Sequence, residues 1–444
     1  MISIEKSSKP LTGNVFVPGD KSISHRSIMF GALSEGTTEI TGFLKSGDCL
    51  STIECFKQLG ILIEHSQRPM NGVPTITVHG KGLHGLSAPS STLYTGNSGT
   101  TTRLLSGILA AQPFDSMITG DSSIEKRPMN RIIKPLTQMG ADITSALGND
   151  CTPLIIKGGK RLRGISYHSP VASAQVKSCI ILAGLYSESD TVVYEPALSR
   201  NHTEIMLRAF GADIHNEVDV KGGASAILHP GLPLRGIKVN VPGDISSAAY
   251  FIAAALLVPG SDIIIHNVGI NKTRSGILSI LTQMGADIQL ENVDESIEPR
   301  ADLHVRYSEL HGNENGRFEV SGKLIPTMID ELPIFAVVAA TANCTTIIKD
   351  AAELKVKESN RINSICKNLK AMGADIEPTE DGMIIHGGNT LHGADIDSEG
   401  DHRIAMSFAV AALAAEGSTR ILDDKCVGIS YPDFFKDLMN LKKC

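Results

Sequence analysis

The chain has no surplus of positive charge, no long apolar run and no clustered cysteines. Forty-one lysines and arginines against forty-eight acids leave a net charge of −7, so nothing global recruits nucleic acid, and cations must act locally where they act at all. The N-terminus shows no basic segment leading into an apolar stretch, and no run approaches the roughly 20 residues of a membrane helix. A cytoplasmic protein that binds neither nucleic acid nor membrane is the expectation. The eight cysteines, Cys49, Cys55, Cys151, Cys179, Cys344, Cys366, Cys426 and Cys444, form no Cys-x-x-Cys pair and no His/Cys ligand set. That argues against a metal site and for reduced, mostly buried thiols. What is present is a globular composition, 42% apolar and 20% charged, in 444 residues, a length that predicts two large domains or an array of units.

Internal repetition organises that length. Leu136-Thr137-Gln138-Met139-Gly140-Ala141-Asp142-Ile143 recurs letter for letter at 281–288, with variants at 207–214 and 369–376 and a weaker form at 56–60. Each reads as the end of an amphipathic helix, with glycine just past the end and a strand after it. A second kind of helix, rich in alanine and small apolar residues, precedes each repeat, at 22–33, 99–111, 172–186, 246–257, 331–342 and 402–415. Such helices are apolar nearly all round and are expected to be buried and closely packed. Short β-branched runs at 75–78, 263–265 and 345–348 supply strands, and a C-terminal amphipathic helix is expected over 431–438. The count is six α/β units.

One stretch suggests both a division and a chemistry. Val17-Pro18-Gly19-Asp20-Lys21-Ser22-Ile23-Ser24-His25-Arg26 runs from an extended segment into a helix that Asp20 can cap, with two cations and a hydroxyl around the helix start. Free backbone N–H groups and the positive dipole end there suit a phosphate or carboxylate, although a solvated helix start fits the same residues. Val241-Pro242-Gly243-Asp244 echoes the first four residues before another apolar helix. If the chain leaves one domain near Gly19 and returns near Pro242, residues 20–241 form one lobe. Residues 1–19 and 242–444 form the other, with three units in each and a ligand cleft expected between them.

Pro18 to Arg26, Gly96-Asn97-Ser98-Gly99-Thr100, Glu125-Lys126-Arg127-Pro128, Val356-Lys357-Glu358-Ser359-Asn360-Arg361 and Gly400-Asp401-His402-Arg403 together resemble the motif series of the 5-enolpyruvylshikimate-3-phosphate synthases. The motifs agree in order over essentially the whole chain, which makes chance agreement improbable although each alone is a weak pattern. The resemblance implies a two-lobed inside-out α/β barrel with six βαβαββ-type repeats. It also implies transfer of the enolpyruvyl group of phosphoenolpyruvate to the 5-hydroxyl of shikimate 3-phosphate. That step belongs to the shikimate pathway of aromatic amino acid biosynthesis, releases phosphate, and runs by addition and elimination through a tetrahedral intermediate. Neither a metal nor a cofactor is implied, and a monomer is expected.

By the same resemblance, Lys21, Ser22, Arg26, Ser173, Ala174, Gln175, Arg200, Asp330 and Lys357 contact shikimate 3-phosphate. Lys21, Asn97, Gly99, Thr100, Arg127, Gln175, Arg361 and Arg403 contact phosphoenolpyruvate. Asp330 is the implied base for the attacking hydroxyl, and Glu358 with Lys21 handles the proton of the methylene carbon. Cations on both lobes imply closure when anionic ligands bind, with Gly19 and Gly243 as hinges. Glyphosate is expected in the donor's place, against Gly99. Plainer readings exist for several of these residues. Asp330 and Ser173 fit helix caps, Arg200 a solvated cation, and Glu358 with Arg361 a pair one helical turn apart. The chain departs from some members at Ile429, where they carry a lysine, and Lys425 is out of register. A UDP-N-acetylglucosamine enolpyruvyl transferase and a non-catalytic anion-binding repeat protein are the alternatives. The Ser22 to Arg26 run disfavours the first, and the carboxylates Asp330 and Glu358 disfavour the second.

Overall fold

The computed structural model describes residues 1–66, 75–220 and 222–442. The chain divides into two compact units, Met1–Pro18 with Pro242–Cys444, and Gly19–Val241. Secondary structure is mixed α/β, and the described strands form six sheets.

In the unit Gly19–Val241 one strand order recurs three times. Lys238–Asn240 runs parallel to Glu35–Thr41, which pairs antiparallel with Thr75–Lys81, which in turn pairs with Leu62–His65. The same order is built by Leu93–Tyr94, Ser116–Thr119, Leu154–Lys157 and Asp142–Ser145. It is built again by Ser166–His168, Thr191–Glu195, Ala224–His229 and Asp213–Val218. The helices Lys21–Leu33, Gly99–Leu109 and Ala174–Gly184 are buried along most of their length. Small residues bring two of them close, since a Cβ on Gly107 would lie 2.2 Å from the carbonyl oxygen of Cys179.

The other unit repeats the pattern with its own core. Thr12–Val15 runs parallel to Asp262–Gly269, followed by Arg300–Arg306 and Asp287–Asp294. Arg317–Val320, Thr345–Ile348, Met383–His386 and Asp375–Pro378 form a second such sheet, while Asp395–Ile396, Ser418–Ile421 and Ile2–Glu5 form a three-stranded one. Every residue of the helix Ile245–Leu257 is buried, and it packs on Leu332–Thr341 and His402–Ala414. Tyr250, Phe251, Tyr431 and Phe434 interlock as an aromatic cluster that seats the last helix, Phe434–Leu441. That helix starts later than the expected 431, because the Tyr431 N–H still closes the preceding turn on the Val427 carbonyl and Asp433 stands at the N-cap.

The repeated helix ends behave as the sequence predicts. Gly60, Gly140, Gly211, Gly285 and Gly373 all adopt positive φ, between 85° and 102°, just past a helix and before a strand. Only glycine takes that backbone without a Cβ penalty, so the residue punctuates each unit. Among the described residues seven cysteines are free and all but Cys151 are buried, while Cys444 lies outside the described residues. Among those residues no single helix is long and apolar enough to cross a membrane.

Candidate active site

The stretch around Lys21 forms the helix start that its sequence predicts. Asp20 caps the helix by accepting the Ile23 N–H at 2.9 Å. Lys21 Nζ stands 3.0 Å from Asp48 Oδ2, a carboxylate in the first turn of the helix Gly47–Gln58. Burial pushes the Asp48 carboxyl up, but the charge of Lys21 and the hydrogen bond from it outweigh burial and hold the group below its ordinary value. Arg26 is buried and ties three segments together. Its Nε donates to the Thr203 hydroxyl at 2.7 Å, Nη1 to the Ser22 carbonyl at 3.0 Å and Nη2 to the Ser178 hydroxyl at 2.9 Å. Ser22 stays half-buried beside it.

His25 lies beneath this site, fully buried, with Nδ1 2.7 Å from the Thr52 hydroxyl. Burial, with the Lys21 and Arg26 charges and against that of Asp48, drives its pKa down to about 3 from the ordinary 6.5. Between those values the unfolded chain takes up a proton that the folded chain refuses. The residue's contribution to stability is therefore complete above about pH 6.5 and shrinks as pH falls. Between pH 7 and pH 5 the loss is about 2 kcal/mol. Urea unfolding of wild type and His25→Gln at both pH values measures it: the pH-dependent loss is expected to be smaller by that amount in the variant. Identical losses would remove His25 as its source.

A second group gathers at the start of the helix Gly99–Leu109, where Ser98 accepts the Thr101 N–H at 3.1 Å. Arg103, one turn into the helix, donates through Nη1 to Gln175 Oε1 at 2.7 Å, and Gln175 Nε2 donates to the Thr100 hydroxyl at 3.1 Å. Arg127 follows the short helix Ile124–Lys126 and donates to the Ser123 hydroxyl at 3.2 Å. A Cβ on Gly99 would lie 2.5 Å from Arg103 Nη1 and 3.5 Å from Arg127 Nη1, so both guanidinium groups face this glycine. Burial first, and then the charges of Arg127 and Arg131, pull the Arg103 pKa down to about 10, as expected where several cations crowd together. Asn97 is exposed in the turn ahead of the helix. Ser173 is the N-cap of Ala174–Gly184 but makes no side-chain cap bond, and its backbone N–H donates to Glu195 Oε1 at 2.8 Å. The Ala174 carbonyl accepts the Ser178 hydroxyl. Arg200 lies half-buried in the loop before the helix His202–Ala209.

In the unit of Met1–Pro18 and Pro242–Cys444, the remaining candidates surround Arg361, whose side chain is 1% exposed. Its Nε donates to Asp401 Oδ2 at 2.8 Å and its Nη2 to Glu358 Oε2 at 2.6 Å. Nη1 has no hydrogen-bond partner among the described residues and stands 3.6 Å from Asp330 Oδ1. Arg403 Nη1 donates to the Asp330 carbonyl at 3.2 Å, and Nη2 lies 3.9 Å from Asp330 Oδ2. Burial opposes the charge on Arg403, but Asp330, with Tyr250, Glu331 and Asp244, raises its pKa. Burial likewise pushes the Glu358 and Asp401 carboxyls up, and the Arg361 guanidinium overrides it in both, leaving them below their ordinary values. Asp330 is not a helix cap, since that position ahead of Leu332–Thr341 belongs to Glu331. Lys357 pairs with Glu353 one turn earlier, and Ile429 is 46% exposed.

Three contributors escape a reading by motif. Asp48 and Arg103 carry no pattern of their own beyond lying beside Gly47 and Gly99. Asp401 looks like a neighbour of Arg403, yet its side chain caps the helix His402–Ala414 through the Arg403 N–H and serves Arg361 as counter-ion.

Residues 5–438 match the family model of EPSP synthase (3-phosphoshikimate 1-carboxyvinyltransferase). The 3-phosphoshikimate 1-carboxyvinyltransferases of Brevibacillus brevis and Desulforamulus reducens are similar, at 52% identity over 98% of this chain and 99% of the relative, and at 53% over 96% of each. A solved structure of EPSP synthase from Acinetobacter baumannii superposes with a TM-score of 0.89 at 47% identity, covering 99% of this chain and 97% of that one.

Proposed function

The chain belongs to the EPSP synthase family, and we propose that its two groups of charged residues work on one pair of substrates. It is an enzyme of the shikimate pathway that transfers the carboxyvinyl group of phosphoenolpyruvate to the 5-hydroxyl of shikimate 3-phosphate and releases phosphate. The observation that carries the site reading is Arg361, one buried guanidinium in reach of both carboxylates that the chemistry needs, with a donor left over for an anion.

In the proposed mechanism Lys21, Ser22, Arg26, Ser173, Ala174, Gln175, Arg200 and Lys357 hold shikimate 3-phosphate. Arg127, Arg361 and Arg403 grip phosphoenolpyruvate, beside Asn97, Gly99, Thr100 and Gln175. Forked guanidinium donors match phosphate and carboxylate oxygens two at a time, which makes arginine the better cation for this task. Asp330 takes the proton of the 5-hydroxyl as its oxygen bonds to C2 of the donor, and Glu358 with Lys21 delivers a proton to the methylene carbon. Elimination reverses that last transfer: a methyl proton is lost, the C2–O bond to phosphate breaks and phosphate departs. The Arg361 charge favours the ionised form of Glu358. An anionic donor bound to Arg361 competes for that charge and adds its own, which raises the Glu358 pKa toward that of a proton donor. A two-lobed inside-out barrel of six βαβαββ-type repeats, a monomer and a cytoplasmic location belong to the same reading. The recurring strand order around buried helices supports the first.

The deciding assay is phosphate release from phosphoenolpyruvate. It is expected only when shikimate 3-phosphate is added, and UDP-N-acetylglucosamine is expected not to replace it. Release without an acceptor, or none at all, would overturn the proposal. Gly99 gives a second expectation. A methyl there must displace the end of Arg103, and with it the Arg103–Gln175 bond, while crowding a ligand that reaches the glycine. Gly99→Ala is expected to raise the glyphosate inhibition constant by about tenfold or more, with a smaller rise in the KM for phosphoenolpyruvate. Equal glyphosate inhibition of both proteins would remove Gly99 from the pocket wall.

A further inference from the structure

We propose that the buried triad Lys177, Glu195 and Glu204 is a positioning element for the acceptor substrate, holding the residues that grip shikimate 3-phosphate without touching it. The inference rests on the assignment of Ser173, Arg26 and Arg200 to that substrate. Lys177 Nζ lies 2.9 Å from Glu195 Oε2, 2.8 Å from Glu204 Oε1 and 3.4 Å from the Ser199 carbonyl, and all three ionic side chains are at most 1% exposed. Charge stripped of water on this scale is rarely the cheapest way to fill a core, since apolar groups of similar shape commonly serve as well or better.

What the triad holds is specific. Glu195 Oε1 accepts the Ser173 N–H at 2.8 Å, fixing the start of the helix Ala174–Gly184. Glu195 Oε2 also accepts the Ser199 hydroxyl at 2.7 Å, and Lys177 holds the Ser199 carbonyl, so the residue before Arg200 is pinned twice. Glu204 Oε1 accepts from Asn216 Nδ2 at 3.0 Å, anchoring the helix His202–Ala209 to the strand Asp213–Val218. The residues next to the triad, Ser178 and Thr203, bond each other at 2.6 Å and both accept from Arg26. Two segments that supply acceptor contacts, at Ser173 and at Ser199–Arg200, are therefore fixed by one buried ionic cluster, and Arg26 is joined to it through Ser178 and Thr203, the residues next to Lys177 and Glu204. Two carboxylates face one ammonium, and Glu204 Oε2 has no hydrogen-bond partner among the described residues. Two acids on one base let a single Lys177 tie both the Ser199 loop and the following helix to the same point.

The test compares Glu195→Gln and the uncharged triple variant Lys177→Met/Glu195→Gln/Glu204→Gln with wild type. Melting temperature, the Kd for shikimate 3-phosphate by calorimetry, and both KM values are measured. Misplaced contacts are costly, so each variant is expected to weaken shikimate 3-phosphate binding by about tenfold or more, with the KM for phosphoenolpyruvate within about twofold. The triple variant is expected to melt close to wild type, which a purely structural role would pair with unchanged binding. Unchanged acceptor binding in either folded variant would overturn the inference, as would failure of both to fold, which assigns the triad to folding alone. If wild type itself does not bind shikimate 3-phosphate, the functional reading fails instead.

Discussion

Asp330→Asn and Glu358→Gln are each expected to lower turnover by about a hundredfold or more, the scale that a positioned acid or base contributes. Both substitutions keep shape and remove the ability to take or deliver a proton at neutral pH. The Asp330 carboxylate sits between two guanidinium groups, 3.6 Å from Arg361 and 3.9 Å from Arg403. Its backbone oxygen is separately held by Arg403, so the asparagine variant retains an anchor for the main chain. Glu358 is nearly half exposed, and its exchange for glutamine leaves Arg361 bonded to Asp401. Neither change removes a cation, so calorimetry is expected to find shikimate 3-phosphate binding retained while steady-state assays find turnover lost. Wild-type turnover in either variant would take that residue out of the chemistry.

A loss of stability of about 3–5 kcal/mol is expected from Asp401→Ala, because the change leaves a buried guanidinium without its main counter-charge. Asp401 is fully buried, accepts from Arg361 Nε and Nη2, and caps the helix His402–Ala414. Loss of the cap adds about 1 kcal/mol to that cost. The Asp401 carboxyl is held below its ordinary 3.8 in the folded chain, so its contribution is present at neutral pH and disappears as pH falls through and below that value. Urea unfolding is thus expected to show a large gap between wild type and variant at pH 7 and a narrower one near pH 3. A gap that does not change with pH would mean that the capping bonds, and not the ion pair, carry the effect.

The parts legible in the sequence are those fixed by local chemistry. Glycine after each amphipathic helix, the Asp20 cap and the small-residue helices follow from neighbours within a turn or two. What escaped depends on residues far apart in the chain. Arg103 matters because it meets Gln175, and Asp48 because it meets Lys21 across twenty-seven positions. The role of Arg26 in bracing Ser178 and Thr203 is equally silent in its motif, since those partners lie 152 and 177 residues away. The triad of Lys177 is hidden for the opposite reason: in a sequence its members look like ordinary surface charges, and only burial makes them unusual.

The paired strands at the two chain crossings have a thermodynamic consequence. Thr12–Val15 precedes the first crossing yet pairs with Asp262–Gly269, and Lys238–Asn240 precedes the second yet pairs with Glu35–Thr41. The ends of 19–241 are adjacent, for a Cβ on Gly19 would lie 3.1 Å from the side chain of Val241. The ends of the other unit also meet, the Asp244 N–H donating to the Pro18 carbonyl at 2.9 Å. One unit is thus an insertion in the other, and each closes its own sheets around its own core. Covalent order and cooperative unit do not coincide in such a chain. Its denaturation is expected to comprise two transitions, each belonging to one compact unit, and a single unfolding free energy for the whole molecule would average two different quantities.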